Sequence, residues 1–119
     1  MQVLLVDPAT QRVEIWRGHM ERSGLHVATA RGADEAIDAL GRIEVEVIVI
    51  NLDMNDAASI ADYAQYRRPA ARVIFVSDAQ FFSNVSVFEL TSQARALVRG
   101  STPPGDLAAM VEHYGRVAV

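Results

Sequence analysis

Apolar and polar positions alternate in blocks along the chain. Five short apolar runs read as strands: "QVLLVD" (2–7), "LHVATA" (25–30), "VEVIVIN" (45–51), "RVIFVS" (72–77) and "RALVR" (95–99). They are rich in Val, Ile and Leu and nearly unbroken, the pattern of strands covered on both faces. The segments between them carry a helical period. Val13, Trp16 and Met20 line one face of the first, and Ala33, Ala36, Ile37 and Leu40 one face of the second. Ala57, Ile60, Ala61 and Ala64 line the third, and Leu107, Met110, Val111 and Tyr114 the last. The segment "AQFFSNVSVFELTSQ" (79–93) is apolar on more than one side.

Punctuation residues agree with these blocks. Asp7-Pro8 reads as an N-cap followed by proline at the first helical position. Gly24 and Gly41 fall near helix ends. Asn55-Asp56 is placed to cap the third helix, and "STPPGD" (101–106) to close the last strand and open the last helix. Five strand–helix units predict an α/β, flavodoxin-like, doubly wound parallel sheet with helices on both faces. Right-handed crossovers favour the order 2-1-3-4-5, with the working edge at the carboxyl ends of strands one and three. Residues 1–119 are expected to form one domain without an output domain.

Composition narrows the function classes. With 50% apolar and 22% charged residues the chain is a globular protein, not a disordered one. The net charge of −4 and the lack of a basic run argue against nucleic-acid binding. There is no cysteine, which excludes thiolate catalysis and thiolate metal sites. All 11 basic residues are arginine, so chemistry that needs a lysine ammonium is excluded; genomic composition bias is the plainest cause. No apolar run approaches a membrane span, and the N-terminus lacks a signal-peptide pattern. A cytoplasmic location is the expectation.

The strand ends hold the candidate chemistry. Strand one ends in Asp7 and Pro8, and strand three in Asn51 with Asp53 beyond it. Strand four ends in Ser77 and Asp78, and strand five in Arg99 and Gly100. In this order "LLVDPATQRV", "VEVIVINLDMND", "VIFVSDA" and "ALVRGSTPPGDL" resemble the receiver domain of bacterial two-component response regulators, over nearly the whole chain. The resemblance places the family's phosphoacceptor aspartate on Asn51 and its acidic pair on Asp7 and Pro8. It places the family's hydroxyl on Ser77, its lysine on Arg99 or Gly100, and the aromatic residue of strand five on Ala96 or Leu97. The proline after the phosphoacceptor turn falls on Asn55.

These departures have chemical consequences. An amide oxygen is neutral and a poor nucleophile toward phosphorus. Mg²⁺ prefers hard carboxylate oxygens, and two of the three usual ones, at Asn51 and Pro8, are gone. The lysine is absent too. The resemblance therefore implies a degenerate receiver, not an enzyme, without phosphorylation at Asn51, without a tight Mg²⁺ site and without a cofactor. Asn51 reads first as an amide satisfied by backbone groups, with a state-fixing hydrogen bond as the alternative. Asp7 reads first as the N-cap, with a remnant metal ligand as the alternative. Arg99 is a candidate partner for Asp53 or Asp78, against a solvated strand end. Asp7, Asp53 and Asp78 are read as solvated loop acids before a weak divalent site.

Outside this crevice, Phe82 and Val87 are candidates for an exposed contact surface, the alternative being an irregular helix that buries them. In the receiver family the fourth helix, fifth strand and fifth helix form the usual partner or dimer face. The expected partners are a signalling protein or a second copy of the chain, with no nucleic acid and no membrane. His19, His26 and His113 show no metal-ligand spacing. No glycine-rich phosphate loop follows strand one, which argues against nucleotide or flavin. Two rival readings remain: a phosphorylatable receiver with the acceptor relocated to Asp53, and a small-ligand-binding flavodoxin-like domain.

Overall fold

The computed structural model describes residues 1–79 and 89–116. The strands are β1 (Gln2–Val6), β2 (His26–Ala30), β3 (Val47–Asn51), β4 (Arg72–Val76) and β5 (Ala94–Val98). The helices among the described residues are α1 (Thr10–Arg22), α2 (Ala33–Arg42), α3 (Ala57–Arg67) and α4 (Pro104–Arg116). All neighbouring strands pair in parallel, in the order β2-β1-β3-β4-β5. Each predicted strand is present, with ends displaced by no more than two residues.

Side chains alternate across the sheet and build two cores. Val3 and Leu5 of β1, Val47 and Val49 of β3 and Ile74 and Val76 of β4 pack on one face against Val13, Trp16 and Met20 of α1 and Leu107 and Val111 of α4. Leu4, Val6, Ile48, Ile50, Val73 and Phe75 pack on the other against Ala36 and Leu40 of α2 and Ile60, Ala61 and Ala64 of α3. Each such Leu, Ile or Phe, fully buried, contributes about 1.5–3 kcal/mol. The near-continuous apolar strands follow from this two-sided burial. Ile37 departs from the predicted pattern: it is 37% exposed, and Ala39 takes the buried position beside Leu40. Met110 and Tyr114 are only partly buried at the rim of the α4 face.

Helix ends differ from the sequence expectation in two places. Asp7 does not cap α1. The helix starts at Thr10 after Ala9, and Pro8 lies exposed ahead of it. The Asp7 carboxylate instead accepts from the Ala9 backbone N–H at 2.8 Å, a local turn. Asp56 holds the N-cap position of α3, but its side chain makes no capping bond. At the end of α1 the chain turns through Gly24, at φ +91°, and Leu25 N–H returns to the Met20 carbonyl at 3.1 Å. Gly41 lies in the last turn of α2. Its carbonyl and that of Leu40 accept from Arg67 and Arg68 at 3.0 and 2.9 Å, so α3 ties down the open end of α2.

Candidate functional site

Strand register assembles the crevice. Val6 pairs with Ile50, so Asp7, one step on, lies beside Asn51. Asn51 pairs with Val76, which places Ser77 next along the same edge. The chain order reverses between β1 and β3, and the carboxyl ends of these strands open there into a crevice. Asp7, Asn51 and Ser77 are all buried, at 2%, 9% and 5% exposure.

Both polar atoms of Asn51 are engaged. Its Nδ2 donates to Asp7 Oδ1 at 3.2 Å, and its Oδ1 accepts from the Asp53 backbone N–H at 2.8 Å. The amide is thus satisfied half by backbone and half by the Asp7 carboxylate. A carboxylate in its place would have no hydrogen to offer Asp7. The other Asp7 oxygen accepts twice from Arg12, from Nε at 3.0 Å and from Nη2 at 2.6 Å. Arg12 reaches the crevice from the first turn of α1 and is 22% exposed there. Its third nitrogen, Nη1, lies 3.3 Å from Asp78 Oδ2, and the guanidinium sits 5.1 Å from the Trp16 ring centroid.

The far side of the crevice is hydrogen-bonded too, but Asp53 and Asp78 there are exposed. Ser77 Oγ donates to Asp53 Oδ1 at 2.6 Å, and Asp78 N–H donates to Asp53 Oδ2 at 2.9 Å. Asp78 Oδ1 accepts from the Gly100 N–H at 3.0 Å. A Cβ at Gly100 would fall 2.6 Å from Asp78 Oδ1 and closer still to Arg12 Nη1, so those side-chain ends would have to move aside. Asp7, Asn51, Asp53, Ser77 and Gly100 therefore meet in one network, as their places at the strand ends suggest. Pro8 is exposed and brings no polar group to it. The Arg99 side chain is also exposed, and among the described residues no ion pair joins it to Asp53 or Asp78. The cation that pairs with Asp78 is Arg12. Sequence reading missed that residue; its signal was an arginine five positions past the acid that ends β1.

The resemblance to receivers implies Mg²⁺, and the donor set does not fit it. Asp7 is saturated by Ala9, Asn51 and Arg12, Asn51 Oδ1 is taken by a backbone N–H, and Pro8 has no ligand atom. Mg²⁺ demands an octahedron of oxygens at about 2.0–2.1 Å, and a guanidinium lies where it would have to approach Asp7. Among the described residues no three His, Cys, Asp or Glu side chains are grouped to hold a metal ion.

Solved structures with the same architecture are numerous. A response regulator receiver domain protein from Methanospirillum hungatei superposes with a TM-score of 0.85 at 22% identity, covering 98% of this chain and 94% of that one. This chain has the receiver fold. A receiver domain of a putative Luxo repressor protein from Vibrio parahaemolyticus matches with a TM-score of 0.85 at 17% identity, over 98% of this chain and 91% of that one. A response regulator from Burkholderia pseudomallei, solved with a phosphorylated aspartic acid, a calcium ion and citrate, matches with a TM-score of 0.79 at 18% identity, over 97% of this chain and 68% of that one. The sequence matches no protein-family model and no curated protein.

On this receiver fold, Leu97 pairs with Phe75 and Ala96 with Ile74, so neither β5 position offers a ring. A hollow of about 130 Å³ lies beside Ser77, lined by Ala79, Leu97, Val98 and Arg99. Phe82 and Val87, the expected contact residues, lie outside the described residues. Among the described residues no helix is long and apolar enough to cross a membrane.

Proposed function

We propose that this chain is a receiver-like signalling module that acts through protein–protein contact, not an enzyme, and that it carries no phosphoryl group on Asn51. The observation behind this reading is the crevice network. An amide stands at the strand end where the receiver resemblance puts the nucleophile, hydrogen-bonded on both sides, and an arginine holds the neighbouring carboxylate. A receiver-fold protein from Burkholderia pseudomallei holds a phosphorylated aspartic acid and a calcium ion. This chain offers neither an aspartate at Asn51 nor a free acidic pair. Phosphoryl transfer rests on an anionic nucleophile and on neutralisation of developing charge, and the loss of either stops it.

A cytoplasmic signalling protein or a second copy of the chain fits as partner. Ala96 and Val98 on the α4 face and Leu97 on the opposite face leave the edge strand β5 apolar and only half-covered. This edge is part of the face that receiver-fold proteins use for such contacts by resemblance.

The test is incubation with Mg²⁺ and acetyl phosphate, followed by intact-protein mass. The expected spectrum shows the unmodified chain alone. Addition of one phosphoryl group that disappears in Asp53→Asn would establish the relocated acceptor instead. For the contact, light scattering across a concentration series, with and without Leu97→Asp, separates a self-associating module from one that needs another protein.

A further inference from the structure

Two features of the crevice are left over from the proposed function: a cation the chain supplies to itself, and the connections that cation makes. Arg12 comes from α1, and its guanidinium reaches carboxylates on two different loops. Through Nε and Nη2 it holds Asp7 after β1, and through Nη1 it meets Asp78 after β4. Asp78 in turn holds the Gly100 N–H after β5, and the Asp78 N–H holds Asp53 after β3. One positive group thus connects the loops that follow four parallel strands. Gly100 lies against the ends of the Arg12 and Asp78 side chains, so a Cβ there would push the guanidinium and the Asp78 carboxylate aside. The stem is also seated, with the guanidinium against the Trp16 ring.

We propose that Arg12 is a resident cation, which takes the bridging place between the Asp7 and Asp78 carboxylates that a free cation would otherwise fill and ties the strand-end loops together whatever the metal concentration. The charge arithmetic supports this. Asp7, Asp53 and Asp78 bring three negative charges to the crevice, and Arg12 is the positive group hydrogen-bonded within it. A guanidinium is planar and always protonated, and it offers its donors as a fork. It can therefore serve two carboxylates at once, as a small metal ion does, without needing octahedral geometry. Removing it leaves the two carboxylates it bridges, Asp7 and Asp78, without their counter-charge, and a divalent ion is the substitute nearest in charge. The inference rests on the reading of the crevice as non-reactive. It is tested without any phosphodonor, so that the two fail separately.

The experiment compares the wild-type chain with Arg12→Ala and with Arg12→Ala/Asp78→Asn. Each is titrated with MgCl₂ and with Mn²⁺, against NaCl at matched ionic strength. Thermal melting and Mn²⁺ broadening of the Asp53, Asp78 and Gly100 amide resonances are read together. Wild type should show no Mg²⁺-specific rise in Tm and no selective broadening. Arg12→Ala should melt lower in NaCl, regain part of the loss in millimolar Mg²⁺, and bind Mn²⁺ at least about tenfold more tightly than wild type, the ratio that one unneutralised charge-assisted contact is worth. The double variant should lose most of that gain. A merely structural arginine would lower Tm without creating divalent affinity. Arg12→Ala that stays blind to Mg²⁺ and Mn²⁺, or wild type that binds them equally well, overturns the proposal. If Arg12→Ala does not fold, Arg12→Gln decides by the same titration, since it keeps length and removes charge.

Discussion

Asn51→Asp puts back the residue that the receiver resemblance leads one to expect, and it should weaken the protein. Asn51 Nδ2 donates to Asp7 Oδ1 at 3.2 Å, between residues only 9% and 2% exposed. The substitution turns that donor into a second acceptor. Loss of a hydrogen bond to a charged group costs about 1.5–3 kcal/mol. Two unit charges at that separation repel by roughly 5 kcal/mol at an effective dielectric of 20, before relaxation and before the nearby Arg12 offsets part of it. Movement of the side chains and screening by Arg12 leave a net deficit of about 2–4 kcal/mol at neutral pH. With a urea slope near 1.5–2 kcal/mol per M, the midpoint should fall by about 1–2 M. Asn51→Ala is the control, since it removes the donor without adding charge and should lose about 1–3 kcal/mol. A variant Asn51→Asp as stable as wild type at neutral pH would refute the reasoning, for it would mean that the amide is not a working donor to Asp7.

Three further outcomes follow from the same geometry. Gly100→Ala drives a Cβ to 2.6 Å from Asp78 Oδ1 and against the Arg12 guanidinium, so these flexible ends should swing apart, at a cost of about 1 kcal/mol or less in urea melts and with a shift of the Asp78 amide resonance. Gly24→Ala forces a side chain into φ +91° at the end of α1 and should lower stability by about 1–2 kcal/mol, read by thermal melting, although nothing lies within 4 Å of the new Cβ. Phe75→Ala empties a fully buried site in the α2–α3 face of the core and should cost about 3–5 kcal/mol by urea denaturation.

The fold was legible because burial imposes its period on the chain. β3 is VIVIN, buried along its whole length, and its unbroken apolar run alone reads as a strand covered on both sides. Helix faces were legible for the same reason, as with Ala57, Ile60, Ala61 and Ala64, all buried. Local capping was less so. The sequence leads one to expect Asp7 as a helix cap, with a remnant metal ligand as the alternative, and it is neither: the helix starts at Thr10, and the carboxylate holds the Ala9 turn and the Arg12 guanidinium. Ile37 shows the limit of periodicity, since a residue at the edge of an apolar stripe is covered or not according to what packs beside it.

Residue identities alone determined what this crevice lacks: a carboxylate at Asn51, an acid at Pro8 and any lysine. Those are statements of composition and position, and strand ends carry them directly. What fills the crevice instead was decided only by tertiary structure. Arg12 and Asp78 are 66 residues apart, and they meet because parallel pairing carries β4 and β5 to the same edge as the start of α1. Periodicity reports which side of an element is buried; it does not report where a long charged side chain ends, because that is settled by the loops of other strands.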